Sequence, residues 1–276
     1  MRGGTRCFAG ALTVVAVVVA GAGCAGEGDR VTDVRVEPSQ DDAEPEAGVP
    51  TSQDDAEAEG GVPTAVFAYM AAFKSRDATA MEQMRAFASP GSPADLYASY
   101  QIQRARAFAQ EPPDDVEART DGTVKACTSQ PNGSQDCAIY SDFQLDADGR
   151  LQSFSIDGLT IEGRLAGTGD PVVADGVTAT LSAAYRSGQG SVWVFVDLVN
   201  DRNAGIVVAG DASPYVTPDG GQTMPAEGVE RGPTIPPHET GTVVLRFDSS
   251  EIGGSLDLKV LTDDAGTEIV LPVPVE

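Results

Sequence analysis

"SVWVFVDLVN" spans residues 191–200. Successive side chains of a strand point to opposite faces, so Val192, Val194, Val196 and Leu198 share one face. Trp193, Phe195, Asp197 and Val199 share the other. The aliphatic row suits a core between two sheets. The aromatic row has two readings. Either Trp193 and Phe195 face outward and form a contact surface against the rest of the chain or a partner, or the strand is central and buried on both sides.

Working outward from this strand, helical periodicity is absent from Ile161 to the carboxyl terminus. "VTATLSAAYRS", "GTVVLRFD", "LDLKVL" and "EIVLPVPV" are short runs separated by clusters of Gly, Pro, Asp and Asn. Val243, Leu245 and Phe247 fall on one face of their run, as do Ile269, Leu271, Val273 and Val275 of theirs. Repeated short alternating strands predict a β-sandwich over 161–276.

The preceding segment, 63–160, begins differently. Val66, Met70 and Phe73 recur at helical spacing behind Thr64, which is expected to cap the helix, and Phe67 lies beside them. Met81, Met84 and Phe87 mark a second helical run. In "SPGSPADLY" at 89–97, Ser92 suits a cap, Pro93 the first helical position and Asp95 the first turn. Leu96, Tyr97, Tyr100 and Phe108 supply that helix's apolar side. Strands are predicted over 116–128, 136–145 and 150–156. Helices followed by an antiparallel meander give an α+β pattern.

"SPGSPADLYASY" and "YSDFQLDADGRLQSFSIDG" resemble segments of exported actinobacterial proteins with the nuclear transport factor 2-like fold. That resemblance implies a cone of sheet closed on one side by helices over 63–160. In the second segment, "VWVFVDLVND", "TPDGGQ" and "IPPHETGTVVLRF" resemble telokin-type, immunoglobulin-like domains of bacterial lipoproteins. Neither resemblance carries functional residues onto this chain. Enzymes on the cone fold place Asp, Tyr or His in the cavity, which brings forward Tyr97, Tyr100, Tyr140 and Asp142. Tyr140 and Asp142, two apart on one strand, are expected to share a face. The alternative is a core tyrosine and a rim aspartate.

The amino terminus concerns location. Arg2 and Arg6 precede a 20-residue uncharged run from Cys7 to Gly26, the layout of an export signal. Gly21, Ala22 and Gly23 directly before Cys24 resemble the lipobox of bacterial lipoproteins, with Gly21 where Leu is usual. The resemblance implies cleavage after residue 23 and diacylation of the Cys24 thiol. An uncleaved anchor is the other reading, since the run is long enough to span a bilayer. Both place the remainder on the extracytoplasmic side of the cell membrane.

Residues 24–62 read as a disordered acidic linker. Twelve Asp or Glu stand against two Arg between Ala25 and Val62, and the whole chain carries −24. Within it, "SQDDAEPEAGVPT" at 39–51 is followed by "SQDDAEAEGGVPT" at 52–64. A stretch with so few bulky apolar groups has no core to bury and is extended by its own repulsion. It reads as a stalk, or as a duplication without selected length. The charge argues against nucleic acid as a partner, whose phosphates attract cations.

Cys127 and Cys137 remain once Cys7 leaves with the signal and Cys24 takes lipid. In an exported chain an isolated pair reads as a disulfide. A hairpin loop at Pro131-Asn132-Gly133 sets the two cysteines opposite each other. No cofactor or metal is expected. His238, the only histidine, lies in a polar turn without a second ligand. "DADGR" at 146–150 begins like a calcium loop but lacks the carboxylate at its twelfth position, and reads as a hairpin turn. The functional expectation is a membrane-anchored, non-catalytic binding or scaffold protein of the cell envelope, with an envelope protein or small molecule as partner. A hydrolase- or isomerase-like activity in the cone cavity and a purely structural envelope role are the alternatives.

Overall fold

Val62, the last residue of the expected linker, is fully buried. In the computed structural model the described residues are 57–58, 61–108, 113–129, 133–226, 234–248, 250–263 and 266–276. The signal segment, Cys24, the first repeat copy and the loop residues Pro131 and Asn132 lie outside them. β1 (Glu57–Ala58) pairs antiparallel with β2 (Val62–Pro63), so the end of the second repeat copy belongs to the fold.

α1 (Thr64–Lys74) follows directly and buries Val66, Tyr69, Met70 and Phe73, an i, i+3, i+4, i+7 stripe. Pro63 occupies the cap position, so Thr64 is the first helical residue rather than the cap. Phe67 points away from the stripe and is half exposed. α2 (Ala78–Met81) and α3 (Met84–Phe87) are single turns, the first capped by Asp77, whose carboxylate accepts the Ala80 N–H at 2.9 Å. α4 (Pro93–Ala107) starts as its sequence predicts, with the Ser92 hydroxyl accepting the Asp95 N–H at 3.3 Å. Asp95 itself is buried, and its carboxylate accepts from the Gly91 N–H and from Arg85 Nε, each at 2.9 Å.

β3 (Asp115–Ala118), β4 (Val124–Ser129), β5 (Gln135–Leu145), β6 (Leu151–Ile156) and β7 (Leu159–Thr160) form the first antiparallel sheet, in that order. The single strand expected over 116–128 is therefore two strands. Asp121 breaks it by accepting from the Thr123 N–H at 3.1 Å, and Gly122 supplies a φ of 79° for the turn.

Eleven further strands build two more antiparallel sheets. In chain order they are β8 (Leu165–Ala166), β9 (Val172–Ala174), β10 (Val177–Arg186), β11 (Val192–Asn200), β12 (Ile206–Val208) and β13 (Tyr215–Val216). β14 (Gln222–Thr223), β15 (Thr234–Ile235), β16 (Thr240–Phe247), β17 (Gly254–Thr262) and β18 (Glu268–Val275) complete them. The second sheet runs β16-β11-β10-β8, with β9 also on β10. The third runs β14-β13-β17-β12-β15, with β18 also on β17. Their facing rows, including Val194, Val196, Leu198, Leu245 and Phe247 against Leu256, Leu258, Leu271 and Val273, make one apolar core.

The other face of the second sheet is not solvated. Ala183, Tyr185, Phe195 and Val244 belong to the same apolar core as Tyr69, Met70, Tyr97, Tyr100 and Phe154 from the helices and first sheet. α4 thus lies between two sheets. Gly167 marks how closely: a side-chain carbon there would stand 2.8 Å from Leu96 Cδ2 on α4.

These observations correct the expected fold class. A cone-shaped α+β domain of the nuclear transport factor 2-like kind, followed by an immunoglobulin-like sandwich, is not what the chain forms. The described residues are mostly β, 45 % strand against 19 % helix, in three antiparallel sheets. Among the described residues the helical segment supplies one long helix and three shorter ones, and α4 packs against two sheets instead of closing one. The core accordingly continues without a break across residue 160.

A bulge makes this possible. Pairing of β10 with β11 shifts register between Leu181 and Ala183. Before it, Val177, Ala179 and Leu181 point into the core between the second and third sheets; after it, Ala184 does, while Ala183 and Tyr185 face α4. The extra residue, Ser182, is buried and donates its hydroxyl to the Phe195 carbonyl at 3.1 Å.

Candidate functional site

A cleft of about 540 Å³ opens where α4, the first sheet and the β10–β11 end of the second sheet meet. Its aromatic wall comes from both halves of the chain. Tyr97 and Tyr100 are three apart on α4 and so share one side of the helix. Tyr140 projects from β5, and Tyr185 and Trp193 from β10 and β11. Tyr100 lies 4.7 Å from Tyr185, centroid to centroid, and 5.7 Å from Phe195 behind it. The Tyr97 and Tyr140 hydroxyls are 3.1 Å apart and buried.

Trp193 stands edge-on to Phe108 at 6.0 Å, and the Arg246 guanidinium lies over its ring at 5.7 Å. Phe195 is fully buried against Tyr100, so the aromatic row of β11 is covered by α4 and its carboxyl-terminal end.

Polar groups complete the cleft. Arg76 and Asp114 form a buried ion pair at 2.6 Å, and the Thr128 hydroxyl donates to Asp114 Oδ1 at 2.6 Å. Gln101, also on α4, is only 3 % exposed, and its Oε1 has no hydrogen-bond partner among the described residues. The β10–β11 turn adds Ser187, Gln189 and Ser191 to the rim.

Burial raises the Tyr97 and Tyr140 hydroxyls well above the usual phenol range, because a phenolate would be desolvated there. Burial likewise pushes Tyr185 up to about 12, against the opposing pull of Arg164. Near neutral pH these phenols are therefore uncharged donors and ring surfaces. Asp114 also lines the cleft, and its carboxylate is held by Arg76 and the Thr128 hydroxyl.

The other residues raised by the sequence are dispersed. Cys127 and Cys137 are opposite each other in the β4–β5 ladder and joined by a disulfide, with Cα atoms 4.0 Å apart. Tyr140 and Asp142 do not share a face. β5 bulges between Ser141 and Gln144, Asp142 takes a φ of 54°, and its exposed carboxylate accepts from the Ser141 hydroxyl. Phe143 turns inward toward Phe154 instead. His238 is exposed, on a turn, with Nε2 3.2 Å from Asn203 Oδ1. "DADGR" is the β5–β6 turn, where Asp146 accepts from the Asp148 and Arg150 N–H groups at 2.9 Å and from the Ser89 hydroxyl. Among the described residues no group of three His, Cys, Asp or Glu is placed to hold a metal ion. No helix among them is long and apolar enough to cross a membrane.

No family model and no curated protein matches the chain. The cleft's own chemistry therefore carries the functional reading. Sequence reasoning reached Tyr97, Tyr100, Tyr140 and Trp193 but not Gln101, Arg76, Asp114 or Tyr185. Gln101 had a usable signal, being one residue after Tyr100 and four after Tyr97 on a helix with few polar groups on that side. Tyr185 had none, because its direction depends on the bulge at Ser182.

Proposed function

We propose that this protein is a lipid-anchored, extracytoplasmic binding protein whose site is the aromatic cleft beside α4. The observation that carries the reading is that cleft, lined by Tyr97, Tyr100, Tyr140, Tyr185 and Trp193 together with Arg76, Asp114 and Gln101. Ligand pockets are concave, largely aromatic or apolar, and carry a few convergent polar groups. The location rests on the small residues before Cys24 and is supported by the Cys127–Cys137 disulfide, since such bonds persist in oxidising compartments. A diacylated Cys24 holds the chain stably on the membrane, each buried acyl CH₂ contributing about 0.8 kcal/mol. The acidic segment after it then serves as a stalk.

Fractionation and mass spectrometry of the mature protein from a bacterial host test the reading. The expected result is a membrane-bound chain beginning at a lipid-modified Cys24, released by Cys24→Ala. A mature chain with an unmodified Cys24 overturns the anchoring.

A further inference from the structure

We draw no further inference here: the strongest candidate, the small pocket that Arg164 and Arg186 line between β7 and the β10–β11 turn, carries nothing, because the Arg164 end nitrogens, without a hydrogen-bond partner among the described residues, are enclosed by the protein and nothing in the structure shows an anion reaching them.

Discussion

The ring of Phe195 stands edge-on to that of Tyr100, with centroids 5.7 Å apart and planes at 78°. One ring belongs to a strand of the second sheet and the other to α4, which also carries Tyr97 against Phe154 of the first sheet at 5.3 Å. Edge-to-face pairs of this kind add about 0.5–1.5 kcal/mol beyond the apolar area that they bury. The helix is thereby tied to sheets on both sides, and the cleft has walls from each.

Phe195→Ala is expected to destabilise the protein by about 3–5 kcal/mol, the range for emptying a phenylalanine site in a packed core. Because the cavity lies between α4 and the second sheet, the aromatic wall should loosen with it. Denaturant unfolding measures the first effect, and a red shift of Trp193 emission before unfolding measures the second.

Reducing the Cys127–Cys137 bond is expected to cost about 2–3 kcal/mol, the loop-closure value for a ring of this length. The comparison is of unfolding midpoints with and without reductant. A double Cys→Ser variant should match the reduced protein. Two freely labelled thiols in the unreduced, denatured chain would show that the bond does not form.

Alkaline pH should unfold the protein through its tyrosines. All six are buried, and burial raises five of them, Tyr69, Tyr97, Tyr140, Tyr185 and Tyr215. The unfolded phenol titrates near about 10, so the unfolded state loses protons first. Their contribution to stability is complete below that pH and is lost as pH rises through the folded values, about 12 for Tyr185. Tyrosinate absorbance is therefore expected to grow together with the loss of circular dichroism. A full titration of tyrosines near pH 10 in a still-folded protein would contradict this.

Val62→Asp is expected to cost about 3 kcal/mol or more, because it buries an unpaired carboxylate where a fully enclosed methyl pair now sits. Thermal unfolding checks it. An unchanged melting temperature would return Val62 to the linker.

What the sequence made legible were features with local causes. Ser92, Pro93 and Asp95 announced the start of α4, and the ten-residue separation of Cys127 and Cys137 suited a ladder pair. The division of 192–199 into an aliphatic and an aromatic face also follows from strand geometry alone. The misreadings share a different cause. Asp142 and Ser182 each sit in a bulge, and one extra residue reverses the side on which every later side chain falls. Nothing in the spacing of Tyr140 and Asp142, or in "LSAAY", marks where that happens. The cone failed for a related reason. Helical periodicity identifies one apolar stripe, but Tyr97 on it packs against both Phe154 of the first sheet and Tyr185 of the second, and only tertiary packing shows one stripe serving two sheets.

The central claim is that α4 belongs to two sheets at once, so that the cleft between them is one rigid body. Scanning calorimetry of the full chain, followed in parallel by Trp193 emission and far-ultraviolet circular dichroism, tests it most directly. The account predicts a single transition, with coincident midpoints and a calorimetric enthalpy equal to the van't Hoff value. Two resolved transitions, with Trp193 reporting only one of them, would contradict it.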